Sequence, residues 1–534
     1  MDPTGLTKEE QIDIWFDEGR FIPARLANEI MKIMPFVTLQ DTGEIWFYKQ
    51  GIWVPGGEEL IRNFVTGFLD EKAKKNYGEE VVYFIRTMTY IEREKFCPPI
   101  NEIPLRNGIF DINTGQMRAY SDKDYFTTKL QITYDPEAKC ERIDKFLSEI
   151  VKEEHVILLK EVAAYCLLRE YPIHAALMCI GSGANGKSVF LSLLKHMLGQ
   201  ENVTSISIQD LEEKPFAIAQ LYQKMANIYP DLSSRSLQDT GRFKMLTGGD
   251  MVTAEKKFQQ PFNYTSYAKH IYSCNQIPIA YDDSRAFFRR WIIINFPNNF
   301  DGPNADKNLL KKLVTEKEIS GFFNQLIGVL NTLILNGSFS YSLSIEERRE
   351  LYKRLSDPVE AFCMDIIEFD STGYIEKKEL YSLFCEYCRE KNYTALAENT
   401  FSKRMFRIMG IGQSRKAIGG MRIQCYAGLK LKEKEEIGQG SQGSQGNLAI
   451  LSTQQNTLLT INREKTLTPL TPLTQEPVLG TCDDCNETKM ITAVHTFEDS
   501  YQPGRMITWR LCEDCDQKFV EPQKTAVNRD REPE

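Results

Sequence analysis

The sequence predicts a multidomain α/β protein built around a single phosphate-binding loop, and three observations carry that expectation. The octapeptide Gly181-Ser182-Gly183-Ala184-Asn185-Gly186-Lys187-Ser188 fits G-x4-G-K-[ST]. Before it, the apolar run from Ala175 to Ile180 suits a strand buried on both faces of a parallel sheet. After it, Val189, Leu193 and Met197 recur at spacings of four, the pattern of an amphipathic helix that Gly199 can close. Strand and helix patterns then alternate as far as Phe300, as in an α/β nucleoside triphosphatase.

The chemistry of such a loop explains its residues. Glycines let backbone N–H groups turn inward around phosphates at a helix N-terminus, where the macrodipole is positive. Lys187 is expected to put a point charge on the β- and γ-phosphates of ATP from a solvent-accessible loop, and the Ser188 hydroxyl to coordinate magnesium. A second magnesium-holding acid normally ends a neighbouring strand. The run Met225-Ala226-Asn227-Ile228-Tyr229-Pro230-Asp231 supplies Asp231, which reaches the ion through water.

Composition bounds the rest. With 534 residues the chain is too long for one core. Its 42% hydrophobic and 26% charged residues are those of an ordinary globular protein. No run approaches eighteen apolar residues and the first residues lack a signal-peptide pattern, so the expectation is a cytoplasmic protein with no membrane contact. Thirteen cysteines without a signal peptide argue for reduced thiols. A net charge of −9 requires any contact with nucleic acid to come from a local basic feature.

Residues 1–135 mix helical patterns, as from Arg25 to Met31, with aromatic strands at Glu44–Tyr48 and Gly51–Val54, and read as a small α+β domain. A second part turns at Asn107-Gly108 and is expected to resume as a strand over Thr127–Leu130; Cys140 to Glu170 is helical. Within the core at 136–340, the stretch Gly248–Phe262, followed by the strand Lys269–Cys274, reads as a hairpin of two extended pieces around a basic-aromatic tip. Its tip, Lys256, Lys257 and Phe258, offers phosphate contacts and a stacking surface. The strand Lys269–Cys274 ends at Asn275, a neutral group that can orient the attacking water. Arg289 and Arg290 precede the strand Trp291–Phe296, where one could be an arginine finger. Alternation aims the two side chains oppositely, and Arg289 is preferred because the strand begins directly after Arg290.

In this order the P-loop, Asn-Ile-Tyr-Pro-Asp at 227–231, Ala-Glu-Lys-Lys-Phe at 254–258, Ser-Cys-Asn-Gln-Ile-Pro at 273–278 and Phe-Phe-Arg-Arg-Trp at 287–291 resemble the superfamily 3 helicases. The nearest branch is the poxvirus and phage/plasmid primase-helicase type. The resemblance covers roughly residues 20 to 430, including Ile103–Asp111. It implies an AAA+-like core with Lys187 and Ser188 on nucleotide and magnesium, Asp231 as Walker B acid and Asn275 as sensor. Lys256, Lys257 and Phe258 would track DNA, and Arg289 or Arg290 would act as a finger in a homo-oligomeric, hexameric ring. Pro230 stands where many members carry a second acid, so the general base is not named. No paired acids of a primase are found, and the chain is expected to be the helicase half, with a primase or other replication proteins as separate partners.

Residues 341–431 are expected to form a winged helix. The pattern is helical over Asp357–Phe369 and Glu376–Glu390, then a basic helix Glu398–Met409 with Lys403, Arg404 and Arg407 is followed by a two-stranded wing over Ile411–Leu431. Cys385 and Cys388 form a lone C-x2-C on a helix and read as packing cysteines. Residues 432–475, rich in Gly, Ser, Gln, Thr and Pro, read as a linker. In 476–522, Cys482 and Cys485 are followed, after twenty-six intervening residues, by Cys512 and Cys515, the ligand spacing of a zinc ribbon with strands at Met490–Phe497 and Met506–Leu511. Residues 523–534 read as a disordered tail. The function expected is ATP-driven unwinding of DNA, single-stranded and forked, in the replication of a virus, phage or plasmid. A packaging or origin-initiator ATPase is the alternative; a small-molecule kinase would leave the hairpin, the paired arginines and the winged helix unexplained.

Overall fold

The computed structural model describes residues 12–432 apart from Cys97, 303–304, Asn392 and 419–420, together with 478–481, 488–498 and 506–512. The chain divides into two compact units, Met1–Gly438 and Gln439–Glu534.

In the first unit, helices Pro23–Ile33, Gly57–Leu69 and Lys75–Met88 accompany a four-stranded sheet ordered Ile52–Pro55, Ile45–Lys49, Phe36–Leu39, Tyr90–Ile91. Leu26, Ile30, Ile61, Val65 and Ile85 bury one core. Val37, Trp46 and Trp53 alternate to the other side and pack with Leu221, Val252 and Phe262 from further along the chain. A meander, Glu102–Leu105, Gly108–Asp111 and Met117–Arg118, follows. Leu105 pairs with Gly108, so Arg106 and Asn107 make a two-residue turn. Gly108 has φ 144° and a Cβ there would meet the Arg118 carbonyl at 2.7 Å. The strand expected over Thr127–Leu130 does not form. Its backbone is satisfied singly, Leu130 N–H by Pro104 O at 2.9 Å and Lys129 C=O by the Asn202 amide at 2.8 Å.

The centre of this unit is a five-stranded parallel sheet ordered Val203–Thr204, Ala226–Tyr229, Lys269–Cys274, Ala176–Ile180, Trp291–Asn295. Period-two alternation divides each strand between two cores. Leu177, Cys179, Ile271 and Ile294 face helices Glu141–Ile150, Glu153–Tyr165, Lys187–Leu198 and Glu316–Asn336. Met178, Tyr272, Trp291 and Ile293 face Phe243, Phe287 and Tyr352. Both faces are therefore covered, which is why these strands read as unbroken apolar runs.

Helix Glu316–Asn336 is long and apolar enough by composition to cross a bilayer, but Ile319, Phe322, Phe323, Leu326 and Leu330 are buried in the first of those cores. Gly321 fits there because a Cβ would meet the backbone of Lys139 at 2.3 Å. The helix is a core element of this unit.

Beyond helix Ile345–Ser356 the chain runs helix Pro358–Ile366, strand Ile367–Glu376, helices Lys377–Glu390 and Glu398–Met409, then strands Gln413–Ile418 and Met421–Leu431. The three strands form an antiparallel sheet with Met421–Leu431 central. Residues 367–369, expected as the end of a helix, are the start of a strand because Ile367 pairs with Leu431 and Phe369 with Leu429. Cys388 is buried in the core of this region and Cys385 packs beside it. In the second unit, Val478–Thr481, Thr488–Glu498 and Met506–Cys512 form an antiparallel sheet.

One buried group makes the fold sensitive to acid. His270, 1% exposed in the strand Lys269–Cys274, stacks on Tyr272, and its Nε2 meets no partner. Burial pushes its pKa down from 6.5 to about 3. The unfolded chain takes up this proton near 6.5 and the folded chain does not, so the stabilisation is complete above that pH and is lost as pH falls towards about 3. Thermal unfolding of His270→Phe between about pH 7 and pH 4 should show a flatter loss of stability than the wild type; parallel curves would contradict this.

Candidate nucleotide and nucleic-acid sites

The P-loop joins strand Ala176–Ile180 to helix Lys187–Leu198. Its turn needs left-handed backbone at Gly183 (φ 111°), Ala184 (φ 47°) and Gly186 (φ 87°). At Gly181 and Gly186 there is also no room for a side chain: a Cβ would meet Asn185 Nδ2 at 1.9 Å and Ile150 Cγ2 at 2.4 Å. The loop is held from outside by the segment after the last strand, through Phe296 N–H to Ile180 O at 2.8 Å, Phe300 N–H to Ala184 O at 2.7 Å and Asn185 Nδ2 to Phe296 O at 3.2 Å.

Lys187 departs from the solvent-accessible point charge expected. It is 6% exposed and donates from Nζ to Gly181 O at 2.6 Å and to Asn185 Oδ1 at 3.0 Å. Burial holds its pKa below the usual lysine range, opposed by neighbours that include Asp231. The ammonium is thus docked inside the loop on two protein oxygens.

Parallel register gathers the other groups. Ile180 pairs with Cys274, and Tyr229 with Tyr272, so the P-loop, Pro230-Asp231 and Asn275 leave neighbouring strands at the same edge of the sheet. Lys187, Ser188, Asp231 and Asn275 all line one cleft of about 1300 Å³. Its remaining wall was not foreseen. Phe146 and Ile150 of helix Glu141–Ile150, together with Phe300, Leu309 and Lys312, close it. These residues carry no local motif; the wall exists only because the helix and the post-strand segment pack on the loop.

The hairpin forms as expected in outline. Met251–Ala254 pairs with Phe262–Thr265, closing at Ala254 opposite Phe262. Val252, Ala254, Phe262 and Tyr264 bury its inner face against the N-terminal region. At the tip, Phe258 is 93% exposed with φ 64°, and Lys257 Nζ lies 4.9 Å from its ring centroid. Lys256 behaves differently from the expectation. It is half-buried and its ammonium is paired with Glu44 Oε1 at 3.0 Å, which ties the hairpin to the N-terminal domain rather than presenting a second free cation.

The two arginines separate cleanly. Arg290 is 5% exposed; Nε donates to Thr247 Oγ1 at 2.9 Å, Nη2 to Lys244 O at 3.1 Å, and Nη1 to Ala286 O. Arg289 is exposed and donates from Nη2 to His174 Nδ1 at 3.1 Å. His174 suits an acceptor, since burial and then the two arginines hold its pKa down. Neither arginine lines the cleft. Both precede the N-terminal end of strand Trp291–Asn295, whereas the cleft lies at the C-terminal ends, about 16 Å away for five residues at about 3.3 Å each.

Of the four candidate zinc ligands, Cys482, Cys485 and Cys515 lie outside the described residues, and only the backbone of Cys512 is described. Thr481 pairs with Thr488 and Cys512 with Ile491, so positions 481 and 512 fall at the same end of the sheet. Among the described residues no cluster of three or more metal-ligating side chains occurs.

Known proteins match the chain in pieces. A D5 N-terminal-like domain matches residues 32–152, a family of unknown function (DUF5906) residues 179–290, and a poxvirus D5 protein-like domain residues 354–420. The putative helicase L207/L206 of Acanthamoeba polyphaga mimivirus is 24% identical over 338 residues, which cover 57% of this chain and 34% of that protein. The putative helicase 121R of Invertebrate iridescent virus 3 is 26% identical over 237 residues, 40% of this chain and 24% of that protein. The chain therefore spans about a third or less of the length of these curated relatives. Among solved structures, the apo C-terminal region of NrS-1 aligns over 76% of this chain and 99% of that one at 13% identity, with a TM-score of 0.40.

The contrast between the arginines can be measured. Arg290→Ala strands buried hydrogen-bond partners and should cost about 2–3 kcal/mol in denaturant unfolding. Arg289→Ala, on the surface, should change stability by no more than about 0.5 kcal/mol. Equal effects would refute the division into a buried structural arginine and an exposed one.

Proposed function

We propose that this chain, which belongs with the poxvirus and phage-type primase-helicases, is an ATP-driven replicative DNA helicase acting as a homo-hexameric ring, in the host cytoplasm. The observation that carries the reading is the convergence of Lys187, Ser188, Asp231 and Asn275 on one cleft at the C-terminal edge of a parallel sheet. Backbone amides of the left-handed turn Gly183–Gly186 are suited to the phosphates, at the N-terminus of a twelve-residue helix. Lys187 leaves Gly181 O and Asn185 to meet the β- and γ-phosphates. The Ser188 hydroxyl and the Asp231 carboxylate, which line the same cleft, would hold magnesium, which would neutralise charge on those phosphates. Asn275 orients the attacking water. The residues present fit both groups, since the cleft is lined by a hydroxyl, a carboxylate and a neutral amide around a docked ammonium.

Arg289 is the finger in this reading. Its exposure favours it over Arg290, and its position at the far end of the sheet from its own P-loop requires that it serve a neighbouring subunit. Lys257 and Phe258 contact the DNA, while Lys256, through Glu44, braces the hairpin. The segment 341–431 acts as a winged helix. Cys482, Cys485, Cys512 and Cys515 would hold one zinc, a reading that rests on their paired C-x2-C spacing and is supported by the shared sheet end of positions 481 and 512.

A strand-displacement assay on forked DNA tests the proposal. Wild type should separate strands only with ATP. Lys187→Ala should retain its melting temperature within a few degrees and lose hydrolysis and unwinding together. The double variant Lys257→Ala/Phe258→Ala should retain DNA-free hydrolysis and lose unwinding. Near-wild-type ATP turnover by Lys187→Ala would remove the nucleotide assignment. Undiminished unwinding by the hairpin variant would remove the DNA assignment.

A further inference from the structure

The chain as a whole is acidic, yet between residues 398 and 432 eight lysines and arginines stand against a single carboxylate, Glu398. Part of this charge has structural partners. Arg404 pairs with Asp357 at 3.0 Å, Lys430 with Glu368 at 3.5 Å, and Arg407 lies 3.7 Å from the ring centroid of Tyr281. Arg415, Lys416 and Arg422 are all exposed, and none has a carboxylate partner among the described residues. They sit on the antiparallel ribbon formed by Gln413–Ile418 and Met421–Leu431.

Register fixes where the three point. Arg415 pairs with Gln424 and Ala417 with Arg422, so Arg415 and Arg422 share one face at diagonal positions. Lys416, the next residue, takes the opposite face, where its Nζ lies 3.6 Å from the ring centroid of Tyr374. A two-stranded ribbon with exposed cations on both faces, and no carboxylate paired with them among the described residues, matches a slot whose two walls are negative. A duplex groove has that form: the major groove is about 12 Å wide, admits a β-ribbon, and is bordered on each side by a phosphate backbone. A single strand presents one backbone and would leave one face unmatched.

We propose that this ribbon is a second nucleic-acid site, separate from the hairpin tip, and that it enters a groove of duplex DNA with Arg415 and Arg422 on one backbone and Lys416 on the other. The proposal rests on the reading of the chain as a DNA motor for the identity of its ligand, but not on its hydrolytic chemistry.

Binding of the full chain to a blunt duplex and to a single strand of equal length, each titrated over a range of salt, tests it. In Arg415→Ala/Lys416→Ala/Arg422→Ala the slope of log K against log salt for the duplex should fall in magnitude by about two to three, near 0.9 per lost phosphate contact. Single-strand affinity should be retained. The charge-preserving Arg415→Lys/Arg422→Lys should keep the duplex slope, and thermal unfolding should find both variants folded. An unchanged duplex slope in the triple variant, or equal losses on duplex and single strand, would overturn the proposal. If the wild-type chain hydrolysed no ATP while the triple variant still lost its duplex slope, the motor reading would fail and this site would stand.

Discussion

Strand Ala176–Ile180 is paired in parallel with Lys269–Cys274 on one side and Trp291–Asn295 on the other, and this pairing determines which groups meet at the cleft. Because the three strands run in one direction, their C-terminal ends open on the same edge, and the P-loop and Asn275 leave from it together. Pro230-Asp231 arrives there from the next strand over, in register through Tyr229 and Tyr272. The same pairing holds the P-loop turn, since the chain leaving Asn295 bonds back to Ile180, Ala184 and Asn185. A one-residue slip would send the buried faces of these strands to the wrong core and separate the polar groups. The parallel direction also sets the proposed division of labour between subunits, because it keeps Arg289 at the opposite end from the cleft.

The N-terminal region is coupled to the hairpin by packing. The hairpin's inner face shares a core with Val37, Trp46 and Trp53, and Arg93 lies over Phe262 at 4.3 Å and over Tyr222 at 4.8 Å. Burial and the hydrogen bond to Asp41 act in opposite directions on Arg93, and its pKa is raised. With Lys256 held by Glu44, the root of the hairpin is anchored at several points while its tip, Lys257 and Phe258, remains free. An anchored base with an exposed aromatic and cationic tip is what the proposed contact of Lys257 and Phe258 with DNA requires.

Legibility in the sequence followed the range of the interactions involved. The P-loop, its flanking strand and helix and the hairpin were readable because each is specified within some fifteen neighbouring residues, by glycines or by period. The cleft's far wall was not: Phe146, Phe300, Leu309 and Lys312 approach the loop only through the packed fold. Lys256 looked like its neighbour Lys257 because nothing near it in sequence shows Glu44, two hundred and twelve positions away. Alternation indicated that Arg289 and Arg290 point apart but could not say which way, since the groups that bury Arg290 come from Lys244 and Thr247. The helix expected through Phe369 failed because Ile366–Ile367 is an apolar run too short to separate helix from strand, and the partner that decides it, Leu431, lies far along the chain.

The central claim is that the cleft is completed by Arg289 of a neighbouring subunit. Mixing Lys187→Ala chains with Arg289→Ala chains, in rings shown to be assembled, measures it most directly. Each variant alone should bind into rings, with Arg289→Ala losing ATP hydrolysis by about 10³-fold or more. The mixture should recover activity, because some interfaces then pair an intact P-loop with an intact arginine. Full turnover by Arg289→Ala rings, or an inactive mixture of well-assembled rings, would contradict the account.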